Sequence, residues 1–220
     1  MRCLKTALAL AATLGCLLGT RAVQAQDAAA AAGVMTPESC RAQLEARHLA
    51  FSFTAAVAEG ECGIPLPVRL QSLAIGDRKI SFSQAPVLDC RLAERLADWI
   101  GNVVEPLARH HLGSGLAAVE SGPGYVCRKR NNQATGKISE HAKGNALDLA
   151  AFTLTDGRRI AVRPADRPVP GETGFLAAVR TTACGYFLTV LGPGSDAAHA
   201  EHLHVDLGPA TRSPYYRICQ

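Results

Sequence analysis

The sequence predicts an α+β domain with one largely antiparallel sheet flanked by helices. Three observations carry this expectation. Short β-type runs recur between clusters of Gly and Pro, and two of them meet at Asp156-Gly157, a tight hairpin signal. Amphipathic helical patterns are mixed among these runs rather than segregated from them. The chain has 220 residues and no internal repeat, enough for one well-cored domain.

In chain order, a helix is expected to start at Thr36-Pro37, where Thr suits the cap and Pro the first turn. Cys40, Leu44 and His48 would share one of its faces, with His48 at the surface. Phe51 to Ala56, Val68 to Ile75 and Ile80 to Phe82 have β character, punctuated by Gly60, Gly63, Pro65 and Pro67. Asp89 is placed to cap the next helix, where Leu92, Leu96, Trp99, Ile100, Val103 and Leu107 form an amphipathic stripe. Trp99 then reads as core. Pro106 should kink or restart that helix. His110 and His111 follow at its end, where the helix dipole favours cations. Leu116 to Val119 and Ala146 to Leu154 read as strands, with Ile160 to Val162 returning from the hairpin. Arg163 to Pro170 reads as loop, Phe175 to Cys184 as helix, Phe187 to Leu191 as strand, and His202 to Leu207 as the last strand.

The first 25 residues look like a secretory signal: Arg2 and Lys5, an apolar core from Ala7 to Leu18, and small residues up to Ala25. Residues 26–35 read as a linker and 36–220 as the domain. The expected location is periplasmic or secreted, with no transmembrane segment in the mature chain. Lipid anchoring at Cys16 is the weaker alternative, because Thr13 stands where an aliphatic residue is usual. Arg2, Lys5 and Arg21 supply most of the net charge of +4, so the mature chain is close to neutral. It has no polybasic run with interleaved aromatics, so nucleic acid is not an expected partner. Cleavage removes Cys3 and Cys16. The remaining Cys40, Cys62, Cys90, Cys127, Cys184 and Cys219 lack Cys-x-x-Cys spacing, and three disulfides are expected over a cysteine-bound zinc.

Four of the seven histidines fall in two short segments. His141 and Asp148 stand seven apart, with Asp148 just inside an apolar run. His199, His202 and His204 lie some fifty residues on. A His, an Asp and a distant His form an N/O ligand set that suits a catalytic zinc with an open fourth position, although N/O donors select only partly among divalent metals. Strand alternation in 202–206 puts His202, His204 and Asp206 on one face, and Leu203 and Val205 on the other.

Ser139-x-His141-x-x-Gly144-x-Ala146-x-Asp148 resembles the signature of the zinc D-Ala-D-Ala peptidases, in the superfamily shared with lysostaphin-type and sonic-hedgehog-type domains. His199-x-x-His202-x-His204 resembles the C-terminal motif of the penicillin-insensitive murein endopeptidase. Together with Cys127-Arg-x-Arg130-Asn131, Leu191-Gly-Pro-Gly-Ser-Asp196 and Arg217-Ile-Cys219, these blocks resemble the bacterial extensin-like C-terminal domain family over roughly Cys40 to Gln220. The resemblance implies a D-Ala-D-Ala peptidase/hedgehog-like core and a zinc held by His141, Asp148 and His204. His202 matches the endopeptidase pattern for a general base. Glu201 matches another superfamily pattern, and a bulge would bring it to the metal face. Arg128 or Arg130 would supply the cation that stabilises an oxyanion. Ser139, His199 and Asp206 would hold the ligands in place. The implied activity is zinc-dependent amide hydrolysis of peptidoglycan stem peptides or cross-links, with muropeptides as partners. The alternative is a non-catalytic cell-wall or protein-binding module on the same fold.

Overall fold

A computed structural model describes residues 35–209, 211, 213 and 215–220. The expected leader with Cys16, and the expected linker up to residue 34, lie outside the described residues. Residues 37–220 form one α+β unit.

Helix α1 (Pro37–Ala46) leads into β1 (Leu49–Phe53), the hairpin β2 (Val57–Glu59) and β3 (Cys62–Ile64), then β4 (Pro67–Ile75), β5 (Arg78–Phe82) and β6 (Val87–Asp89). Helices α2 (Cys90–Trp99) and α3 (Glu105–Leu112) follow, then β7 (Leu116–Ser121), β8 (Ala146–Leu154) and β9 (Arg159–Ala161). The chain ends with α4 (Glu172–Tyr186), β10 (Thr189–Leu191), β11 (Leu203–Asp206) and β12 (Ile218–Cys219). The main sheet runs β1-β4-β5-β7-β8-β11-β10-β12, with β6 also on β4 and β9 also on β8. Only β5–β7 and β10–β12 are parallel among its described pairs.

The core lies between this sheet and the helices. Trp99 of α2 is fully buried, meets Phe187 edge-on at 5.4 Å and donates its Nε1–H to Thr182 of α4. Phe152 of β8 meets Phe175 of α4 in the same way. The β7–β8 register skips Ala150, because Ser121 pairs with Leu149 while Glu120 pairs with Ala151. This bulge reverses the alternation along β8. Leu147 and Leu149 before it, and Phe152 and Leu154 after it, are all buried, and Asp148 is left on the opposite face.

Several local expectations are corrected. His48 is not on a helix face: α1 ends at Ala46, and His48 adopts φ 56° in the turn into β1. The first strand therefore starts earlier than expected, at Leu49, and ends before Thr54. The amphipathic stripe does not run straight to Leu107. Asp89 caps α2 through a bond from Arg91 N–H, but Ile100–Val104 form a π-helical stretch. Pro106 has no N–H to give the preceding turn, and the widened turn shifts the helical phase. Val104, Glu105, Ala108 and Leu112 are buried in place of Val103 and Leu107. Buried Glu105 accepts bonds from Arg78, Arg109 and the Leu116 N–H. The strand expected at 202–207 is shorter, Leu203–Asp206, and it is not the last, because β12 follows it and pairs with β10.

Three disulfides join Cys40 to Cys90, Cys62 to Cys127 and Cys184 to Cys219. Such bonds persist in oxidising compartments and fit an extracellular or periplasmic setting. Among the described residues, no helix is long and apolar enough to cross a membrane.

Candidate metal centre

The site stands on the face of the sheet away from the helices. Asp148 of β8 and His204 of β11 are direct cross-strand partners, so their side chains project together. Leu203 and Leu149, the next pair along, point to the helix side and are buried. His141 comes from a 3-10 turn, Glu140–Lys143, packed above the two strands. Ser139 caps that turn by accepting from the His141 N–H. Gly144 ends it at φ 62°, and a Cβ there would lie 2.4 Å from Ile64 Cδ1 and 2.8 Å from Asp89 N. Only glycine fits that approach in that conformation. Asn145 ties the turn to the strand end through Nδ2 bonds to Glu140 Oε2 and the Gly208 carbonyl.

The donor atoms of His141, Asp148 and His204 all lie within 4.8 Å of one another and could hold a metal ion. His141 Nε2 is 3.3 Å from His204 Nδ1 and 3.3 Å from Asp148 Oδ2, and His204 Nδ1 is 2.9 Å from Asp148 Oδ1. Tetrahedral ligands at ~2.0–2.1 Å from zinc stand ~3.3 Å apart, so this spacing fits such an ion. The outer ring nitrogens make the same point. His141 Nδ1–H donates to the Gly124 carbonyl at 2.8 Å. His204 Nε2–H donates to Asp206 Oδ2 at 3.1 Å, and Asp206 Oδ1 accepts from the Gly208 N–H at 2.7 Å. With those protons committed, the inner nitrogens of two buried rings present lone pairs to each other, and only a proton or a cation between them satisfies both.

Without metal, protons serve that purpose. Burial opposes charge on His204, but its bonds to Asp148 and Asp206 prevail and raise its pKa to about 9. Burial likewise opposes the Asp148 carboxylate, yet bonds from His141 and His204 outweigh it and hold the carboxyl far below the usual range. His202 is pushed down by burial, although Asp148 pulls the other way. Imidazoles gathered on one such carboxylate make a candidate functional site.

Around the triad lies a cleft of about 470 Å³. His202 reaches it, with Nε2 3.4 Å from Asp148 Oδ1. Glu201 does not: it is exposed and pairs with Arg163 at 3.0 Å. His199 lines the cleft near His202 and His204, and donates Nδ1–H to Asp196 Oδ1 at 2.7 Å. Arg128 and Arg130 also line it, and Arg130 stands 3.7 Å from buried Glu140. His48, His110 and His111 do not line it.

A family described as "Extensin-like protein C-terminus" matches residues 38–220. The chain belongs to that family. Searches of curated proteins and of solved structures found no match. The extensin-like domain thus spans every residue of the cleft.

Sequence reasoning missed four contributors to this domain's site: the Gly124 carbonyl, Glu140, Asn145 and Asp196. Asp196 had a readable signal, since an Asp three residues before a His can accept from both its N–H and its ring. The Gly124 carbonyl had none, because any residue offers a carbonyl.

Proposed function

We propose that this extensin-like domain is an exported zinc-dependent amide hydrolase with a peptidase-like core, acting on peptidoglycan stem peptides or cross-links. The observation that carries the reading is the convergence of His141, Asp148 and His204, with His202 3.4 Å from the shared carboxylate in an open cleft. His141, Asp148 and His204 would hold the zinc. When bound there, zinc supplies a Lewis acid that polarises an amide carbonyl and acidifies water toward a pKa of ~7.

The chain's own residues supply the remaining chemistry. His202, kept neutral by its burial, accepts the proton of the attacking water and returns it to the leaving amine. His199, its Nδ1–H given to Asp196, presents Nε2 as an acceptor. One of the two arginines, Arg128 or Arg130, compensates the oxyanion of the tetrahedral adduct. Asp206 and Gly124 fix the ring orientation of the two histidine ligands. The substrate class follows from the family resemblance and the export signal, not from a contact that reads it.

The test is cleavage of purified muropeptides by zinc-loaded protein, with His202→Ala and Glu201→Gln alongside. The expected outcome is hydrolysis by the parent and by Glu201→Gln, lost in His202→Ala with zinc content unchanged. Muropeptide binding without cleavage by the parent would replace the hydrolase with a binding module.

A further inference from the structure

β8 has β7 along one edge, and two strands share its other edge. β11 pairs with residues 146–149, and β9 pairs with residues 151–153. The sheet therefore divides at Ala150. The chain leaves β9 through Val162, whose N–H donates to the Ala150 carbonyl, while β11 begins at Leu203. On the helix side of this division lies a second cavity, of about 290 Å³, which shares no lining residue with the metal cleft. The sheet lines it with Val162 and Leu203, α4 with Leu176 and Val179, and the loops with Pro164, Pro168 and Pro193. Its size and its mostly apolar lining are those of a small-molecule site.

The cavity is held open by contacts within the chain. Buried Glu172 accepts the Val169 N–H at 2.9 Å, and its own N–H donates to the Val169 carbonyl at 3.0 Å. This ties the Pro-rich loop 163–170 to the start of α4. Arg180 Nη1–H donates to the Pro193 carbonyl at 2.8 Å and ties the turn after β10 to the same helix. Glu172 and Arg180 both line the cavity, two helical turns apart, with Leu176 between them. Eight residues of α-helix rise about 12 Å, so the two charges stand at opposite ends of an apolar slot.

Those charges are unequally satisfied. The Glu172 carboxylate is committed to the Val169 N–H. Arg180 is half-buried, carries five N–H donors, and has its bond to one carbonyl. Among the described residues, no carboxylate stands within ion-pair distance of it. A guanidinium fork matches a carboxylate in two parallel bonds, and the aliphatic lining rewards burial of a hydrocarbon tail. Glu172 at the far end opposes a ligand lying the other way round.

We propose that this cavity is a second binding site, for an aliphatic monocarboxylate whose chain lies along α4 and whose carboxylate meets Arg180. The site is independent of the hydrolase reading.

The test is calorimetric titration of the zinc-loaded full domain with octanoate and, separately, with octanamide. The charge-assisted contact should favour the acid by about ten-fold or more. Arg180→Gln should bring acid and amide to near parity. Ala177, which lines the cavity from an exposed position on α4, gives a second variant: Ala177→Phe fills the slot and should abolish binding of both. Zinc content should be unchanged in both variants. Absence of octanoate binding by the parent overturns the proposal, as does equal binding of acid and amide. An acid preference that survives in Arg180→Gln, or octanoate binding that survives in Ala177→Phe, also overturns it, because the ligand would then sit elsewhere, such as on the metal.

Discussion

Asp206→Asn should weaken zinc binding without unfolding the domain. In the native site, Asp206 Oδ2 accepts from His204 Nε2–H at 3.1 Å while Oδ1 accepts from the Gly208 N–H at 2.7 Å. Asparagine keeps the shape but has one acceptor and one donor head. If its oxygen serves Gly208, its amide meets His204 Nε2 and forces the ring proton onto Nδ1. That nitrogen is then lost as a ligand. If its oxygen serves His204, two donors face each other at Gly208 in a buried place. Loss of such an orienting contact costs ~10–100-fold in metal affinity, or about 1.4–2.7 kcal/mol. Competition with a chromophoric chelator at pH 7 measures it, with circular dichroism as the folding control. A zinc affinity within about two-fold of the parent would refute the reasoning about the tautomer.

The remaining predictions concern pH, the turn and the disulfides. In metal-free protein the His204 pKa is raised from 6.5 to about 9. Its stabilisation is complete below the lower value and is lost as pH rises through the upper one. Chelator-treated protein should therefore melt at a lower temperature at pH 9.5 than at pH 6.5, and His204→Gln should flatten that slope. Unchanged melting of the treated parent would contradict the linkage. Gly144→Ala should cost about 2 kcal/mol or more in urea unfolding, because the added Cβ meets Ile64 and the Asp89 backbone at a left-handed φ. Paired Cys40→Ser and Cys90→Ser substitutions remove a link across 50 residues, worth about 4 kcal/mol in the chain-entropy view. The variant should unfold at lower denaturant while retaining zinc, because that bridge joins α1 to α2 and lines no part of the cleft. Loss of zinc from folded variant would show that it does more.

Much of the fold was legible because its signals are local. The hairpin at Asp156-Gly157, the Asp89 cap and the apolar runs of β4 and β8 each depend on neighbours in sequence. The errors arose where a tertiary constraint outweighed the local pattern. The stripe from Leu92 to Leu107 looked continuous, but the π-helical stretch before Pro106 rotated its second half. The β2–β3 hairpin was missed because Gly60 and Gly63 read only as punctuation, whereas the hairpin holds Cys127 through Cys62 and Lys129 through Glu61. In the site, alternation in 202–206 placed His204 and Asp206 on one face, as β11 does. The cross-strand pairing of Asp148 with His204 needed the register, which no single segment specifies. The pairing of Arg130 with Glu140 depends on tertiary placement and was not readable at all.

The central claim is that His141, Asp148 and His204 hold a zinc ion. Metal analysis of the purified protein, with His204→Ala prepared in parallel, tests it most directly. The account predicts about one zinc per parent chain and little in the variant. No zinc in the parent after incubation with added metal, or the same zinc in both proteins, would contradict it.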